Sequence, residues 1–178
     1  MIKILAIGGS NSVNSINRKH AYFVASLFSD ATVEKYNLST KEIPLFSVQL
    51  ESEITFPEEI VAFAKLIDES DLIVLSLAEN NGSFNAGFKN LIDWTSRIPK
   101  RKIFGEKPML LISTSPGPRG ASSVLEHAKA TFPFRGAVVK GSFSLPSFDQ
   151  NFDTETGITN PELLEKITAI VHTIQAEM

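Results

Sequence analysis

The stretch Ile73-Val74-Leu75-Ser76-Leu77-Ala78-Glu79-Asn80-Asn81-Gly82-Ser83 passes from an apolar run into a polar, amide-rich segment. It leads into Phe88-Lys89-Asn90-Leu91-Ile92-Asp93-Trp94-Thr95-Ser96-Arg97, which reads as a helix. A buried strand that empties into a loop, which then opens a helix, is the repeating unit of an α/β protein. In an open parallel sheet, ligands lie just beyond the carboxyl ends of the strands. Glu, Asn, Asn, Gly and Ser at such an end supply donors, acceptors and close backbone approach where a ligand would lie.

The same unit recurs on both sides of this stretch. Upstream, Ile2 to Ile7 is an apolar run broken only by Lys3, as for a strand covered on both faces. Ser15 to about Phe28 reads as a helix with Phe23, Val24 and Leu27 at helical spacing, and Thr32 to about Tyr36 as a short second strand. Thr40 to Phe56 has no clean period and contains Pro44, so a loop is expected. Pro57 suits a helix start, and Ile60, Phe63, Ala64 and Ile67 define one apolar face of that helix. Leu72 to Leu77 is the third strand and Phe88 to Ser96 the core of the third helix.

Downstream, Met109 to Ser113 is the fourth strand, and Ser122 to Phe132 is a helix stopped by Pro133. Ala137 to Val139 begins the fifth strand, and Ser142 to Thr159 is expected to be a long loop. Asn160-Pro161 caps and starts the last helix, whose buried stripe is Leu163, Leu164, Ile167, Ile170, Val171 and Ile174. Five β/α units predict an α/β fold with helices on both faces of a parallel sheet. With five strands, the expected architecture is a flavodoxin-like three-layer sandwich in strand order 2-1-3-4-5, as one domain over residues 1–178.

The 178 residues are 43% apolar and 21% charged, with no cysteine and a formal net charge of -3. That charge gives no electrostatic reason for nucleic-acid binding. No apolar run reaches the length of about 18 residues that a membrane span needs. The opening Met1 to Ile7 is too short and lightly charged for a secretory signal. Without cysteine there is no disulfide, thiolate nucleophile or cysteine metal site, which fits a reducing cytoplasm.

The topology brings the loops after strands one, three and four to one edge. The first, Gly8-Gly9-Ser10-Asn11-Ser12-Val13-Asn14-Ser15-Ile16-Asn17-Arg18, places glycines at the turn and hydroxyls at a helix N-terminus. It matches neither a Walker loop nor Gly-x-Gly-x-x-Gly. Its residue types serve equally as helix caps and as a phosphate cradle. The second loop, Ala78 to Gly87, can read the edge of a flat heteroaromatic ring through Asn80 and Asn81, although Asn81-Gly82 also marks a simple turn. Just beyond it, Lys89, Asp93 and Arg97 read as an ion-paired helix face. The third loop, Ser113 to Ser122, has Gly117 and Gly120 for close backbone approach. His20, His127 and His172 are scattered over helices and read as surface or partly buried positions rather than metal ligands. Glu51, Glu53, Glu58 and Glu59 read as a solvated surface.

Across these loops the chain resembles the NADPH-dependent FMN reductase family, which includes quinone, azo-dye and chromate reductases. Gly9-Ser10-Asn11-Ser12-Val13-Asn14-Ser15-Ile16-Asn17 is similar to the family's Gly-Ser-x-Arg-x-x-Ser-x-Asn. Ala78 to Ser83 is similar to Pro-Glu-Tyr-Asn-x-Ser, and Phe88 to Arg97 to Leu-Lys-Asn-x-x-Asp-Trp-x-Ser-Arg. The resemblance implies FMN and NAD(P)H as cofactors, with Ser10, Ser15 and Asn17 at the FMN phosphate. It implies Glu79, Asn80 and Asn81 along the isoalloxazine, and Ser115 and Gly117 closing the other side. Ser12, Ile16 and Ala78 complete the implied cofactor-binding set.

It further implies hydride transfer from nicotinamide to flavin N5, then reduction of a quinone or another small electron acceptor in the same pocket. No catalytic side chain and no metal are expected. The implied assembly is a homodimer or homotetramer, in the cytoplasm, with no nucleic-acid or membrane partner. Three positions depart from the pattern: Ser12 stands at the usual Arg, Ala78 at the usual Pro and Asn80 at the usual Tyr. Arg18 is the nearest cation that could replace the missing one. The rival readings are a flavodoxin-type electron carrier without turnover, and a member that has lost flavin and acts as a binding protein.

Overall fold

Five strands build the centre of the computed structural model, which describes residues 1–178. They are β1 (Ile2–Gly9), β2 (Ala31–Tyr36), β3 (Leu72–Leu77), β4 (Lys107–Thr114) and β5 (Ala137–Leu145). All pair in parallel, in the order β2-β1-β3-β4-β5, which is the order expected from the sequence. The connecting helices are α1 (Ile16–Ser26), α2 (Glu58–Glu69), α3 (Ala86–Thr95), α4 (Ser122–Thr131) and α5 (Pro161–Ala176).

Strand periodicity divides the core into two layers. Leu5, Ile7, Ile73, Leu75, Leu77, Met109 and Leu111 face one way and pack with Phe63 and Ile67 of α2, Leu91 and Trp94 of α3, and Val124 of α4. Ile4, Ala6, Leu72, Val74, Leu110 and Ile112 face the other way and pack with Val24 of α1 and Ile167, Val171 and Ile174 of α5. A sheet covered on both faces needs near-continuous apolar strands, which is why β1 and β3 lack an alternating polar face. Gly8 permits α1 to lie directly on β1, because a Cβ there would fall 2.5 Å from the Arg18 Cα. No helix is long and apolar enough to cross a membrane.

Two segments are more ordered than the sequence reading allowed. Within the expected loop Thr40 to Phe56 there is a helical turn, Val48–Glu53, started by Ser47, whose Oγ accepts the Leu50 N–H at 3.0 Å. A helix of six residues is too short to show a period. The expected loop Ser142 to Thr159 instead completes β5, forms a short helix, Phe148–Asn151, and closes with a hairpin of Phe152–Asp153 and Gly157–Ile158. Its apolar residues Phe143, Leu145, Phe148 and Ile158 are buried against the α1–α5 face. Gly157 lets the hairpin sit on Phe23 of α1, whose ring occupies the space a Cβ would need. Pro57 sits one position earlier than expected, as the cap before Glu58 rather than as the first helical residue.

Candidate functional site

Three loops meet beyond the carboxyl ends of β1, β3 and β4 and enclose a cleft of about 240 Å³. Ser10, Ser12, Ser15, Ile16 and Asn17 line it from the first loop, Ala78, Glu79 and Asn80 from the second, and Ser115 from the third. The structure therefore brings together every expected cofactor residue except Asn81 and Gly117. Asn81 (φ 52°) and Gly82 (φ 75°) form the tip of a small hairpin that pairs Glu79–Asn80 with Ser83–Phe84. Gly117 instead anchors its own loop, its carbonyl accepting the N–H groups of Gly120 and Ser147 at 3.2 and 3.0 Å. Asn14, Asn85, Thr114 and Pro116 also line the cleft. Of these, Asn85 had a readable signal, an Asn directly before an apolar helical pattern.

The first loop is built to present hydrogens. Ser10 Oγ accepts the Ser12 N–H at 3.2 Å, and Ser15 Oγ accepts the Arg18 N–H at 3.1 Å as the cap of α1. Each hydroxyl keeps its own hydrogen for a further acceptor. The main-chain N–H groups of Asn14, Ile16 and Asn17 have no acceptor within the chain. Uncommitted N–H groups and hydroxyls at the positive end of a helix dipole are the donor set that an anionic oxygen cluster requires. This end of the cleft fits a phosphate by hydrogen bonding.

No cation lines the cleft, and its one charged lining residue is Glu79. Arg18 does not supply the missing charge. Its guanidinium donates to Asn37 Oδ1 at 2.7 Å, Ser39 Oγ at 3.2 Å and the Val13 carbonyl at 2.7 Å, and so ties the first loop to the turn after β2. Glu79 caps a helix from a distance: its carboxylate accepts the Val124 N–H at 3.2 Å. The α4 N-terminus needs this partner because its own cap, Ala121 (φ 62°), has no side-chain acceptor.

Beneath the first loop runs a buried polar chain. Asn17 Oδ1 accepts the Thr114 N–H and the Ser76 hydroxyl at 3.1 and 2.7 Å, and Asn17 Nδ2 donates to the Thr114 carbonyl at 3.1 Å. Ser76 has a single hydrogen, which this bond uses. The His20 Nδ1, 3.2 Å from Ser76 Oγ, must therefore be the protonated nitrogen. Nε2 is then a bare lone pair with no partner, enclosed near Phe143 and Phe152. His20 is fully buried, unlike the surface or partly buried position expected, while His127 and His172 are exposed. Burial lowers the His20 pKa to about 3 and keeps the ring neutral.

The helix that follows the second loop is structural in its details. Asn90 Oδ1 accepts the Phe46 N–H at 2.8 Å, and Asn90 Nδ2 and Trp94 Nε1 donate to the Pro44 carbonyl at 3.0 and 2.8 Å. These bonds fasten the long connection between β2 and α2 onto α3. Lys89 and Asp93 form the expected pair at 2.7 Å, whereas Arg97 reaches across to Glu51 at 2.8 Å.

A model of the family described as "NADPH-dependent FMN reductase" matches residues 2–150. The chain is 33% identical over 121 residues to an Escherichia coli protein named quinone reductase, a match covering 67% of this chain and 64% of that protein. It is 28% identical over 182 residues to the Solanum tuberosum NAD(P)H:quinone oxidoreductase, covering 99% of this chain and 92% of that one. Among solved structures, the flavoenzyme NAD(P)H:(acceptor) oxidoreductase FerB of Paracoccus denitrificans superposes with a TM-score of 0.80 at 21% identity, over 99% of this chain and 96% of that one. That likeness carries the fold. The family match spans the three cleft loops and all five strands of the sheet, and the chain belongs to the NADPH-dependent FMN reductase family.

Proposed function

We propose that the cleft binds FMN and that the protein is an NAD(P)H-dependent oxidoreductase of quinones or similar small electrophiles. The observation that carries this reading is the first loop, where free N–H groups of Asn14, Ile16 and Asn17 stand with the hydroxyls of Ser10, Ser12 and Ser15 around one end of the cleft. These residues would hold the phosphate. Ala78, Glu79 and Asn80 on one side, with Thr114, Ser115 and Pro116 on the other, would flank the ring system. When bound, FMN supplies the two-electron chemistry that no side chain can perform. In the overall reaction a quinone gains two electrons and two protons, one hydride coming from the nicotinamide and one proton from solvent. The protein supplies position, and the Asn17–Thr114 bonds set the separation of two of the walls.

We extend the proposal to self-association in the cytoplasm. Among the groups a second copy would cover are Leu45, Val48 and Val61, which are 81%, 67% and 55% exposed; sedimentation of the purified chain tests for that copy.

The functional test is direct. Purified protein is titrated into FMN while flavin fluorescence is followed, then assayed with NADPH or NADH and benzoquinone. Quenching at micromolar protein and steady turnover are expected. Quenching without turnover would favour a one-electron carrier, and no quenching would end the flavin reading.

A further inference from the structure

Asn85 decides which way the Asn80 amide points. The Asn85 Oδ1 takes three main-chain N–H groups, from Asn11 at 3.3 Å, Gly87 at 3.1 Å and Phe88 at 3.3 Å. Those groups can only donate, so this end of the amide is oxygen and the other end is NH₂. That NH₂ donates to Asn80 at 3.1 Å, so the atom of Asn80 that meets it is Oδ1. The Asn80 Nδ2 is consequently turned away from Asn85, and it has no acceptor within the chain.

The other side chains around this part of the cleft leave Asn80 as its main side-chain donor. The Thr114 hydroxyl donates to the Leu145 carbonyl at 2.8 Å, and the Ser115 hydroxyl to the Gly117 carbonyl at 3.3 Å. Glu79 offers a carboxylate that only accepts, and Ala78 and Pro116 have no side-chain hydrogen-bond donor. Asn85 retains one amide hydrogen, and Asn80 retains both.

Resting on the function proposed above, we infer that Asn80 Nδ2 is a side-chain hydrogen-bond donor of the cleft to a ring carbonyl oxygen, and so helps to select planar ligands that present carbonyls. The carbonyl has two sources, the isoalloxazine of the cofactor or the quinone being reduced. A donor at that oxygen gains strength as negative charge moves onto it, which favours reduction over simple binding.

The experiment compares Asn80→Leu, which has a similar shape without polar atoms, and Asn80→Asp, which keeps an acceptor for Asn85 but exchanges the donor for an oxygen. Three readouts are taken on each protein: FMN affinity by fluorescence quenching, the midpoint potential of the bound flavin, and kcat/KM with benzoquinone and with ferricyanide, which has no carbonyl. Loss of one hydrogen bond predicts a change of about tenfold. If the cofactor is the source, both variants bind FMN about tenfold more weakly, the midpoint potential falls, and both acceptors slow together. If the quinone is the source, benzoquinone loses about tenfold more than ferricyanide and FMN affinity holds.

Asn85→Asp keeps the helix cap and removes the NH₂ that orients Asn80, so a smaller loss of the same kind is expected. Changes below twofold in every readout for both Asn80 variants would overturn the assignment. A wild-type protein that binds no FMN would instead defeat the function itself, and the assignment with it, so the two failures are told apart before any variant is made.

Discussion

The side-chain amide of Asn17 pairs with the main chain of Thr114 in both directions, accepting its N–H and donating to its carbonyl, each at 3.1 Å. Two loops that are far apart in sequence are thereby joined through one buried side chain. Asn17→Ala would strand the Thr114 N–H and carbonyl in a region that water does not reach. Each unsatisfied buried group costs about 1–3 kcal/mol, so a loss of about 2–6 kcal/mol in unfolding free energy is expected in urea titrations. FMN affinity should fall with it, because the first and third loops lose their fixed spacing.

Glu79 joins a different pair of elements, and its two consequences separate by substitution. Glu79→Ala removes the tertiary cap of α4 and should lower stability by about 1 kcal/mol. Glu79→Gln keeps an acceptor for the Val124 N–H and removes the only charge lining the cleft. It should leave the melting temperature nearly unchanged and tighten FMN binding severalfold at low salt. Added sodium chloride at about 0.5 M should erase that gain by screening.

Ser12→Arg tests the neutral character of the phosphate end. A guanidinium there adds a charge-assisted contact, roughly twice the strength of a neutral one. FMN affinity should rise by about tenfold or more and acquire a salt dependence that the wild-type protein shows only weakly. Riboflavin, which lacks the phosphate, should bind both proteins alike; an equal gain for riboflavin would place the effect away from the phosphate.

His20 makes stability depend on pH. Its pKa is lowered by desolvation from 6.5 to about 3, and no charged neighbour contributes to the shift. Below about pH 6.5 the unfolded chain takes up a proton that the folded chain refuses. The His20 contribution is therefore complete above about pH 6.5 and drains as pH falls toward 3, at up to about 1.4 kcal/mol per pH unit. Denaturant titrations at pH 7, 6 and 5 should show this slope in the wild-type protein and lose the His20 share in His20→Leu.

The fold was legible because a doubly covered sheet writes itself as apolar runs. β3 begins and ends where its hydrophobic run does, and Asn160-Pro161 marks the start of α5 as cap and first residue. The cleft was legible at the level of loops, since topology alone places the ends of β1, β3 and β4 together. What stayed hidden depends on pairs of residues remote in sequence. Nothing near Glu79 indicates that it caps a helix starting at Ser122, and nothing near Arg18 indicates that Asn37 and Ser39 will occupy its guanidinium. The tail after Ser142 was misjudged for another reason. Phe143 and Leu145 continue β5 beyond Lys140, where the register with β4 shifts and the alternation is broken, while Phe148 and Ile158 sit in pieces too short for a period to emerge.

The family match ends at residue 150, yet the hairpin on Phe23 and the helix bearing Ile167, Val171 and Ile174 come after it. Anyone trimming the polypeptide to the matched span would leave α1 alone on one side of the sheet, without the helix beside it. Leu110 and Ile112 would then meet water, and the product would be expected in inclusion bodies, however intact its cofactor loops.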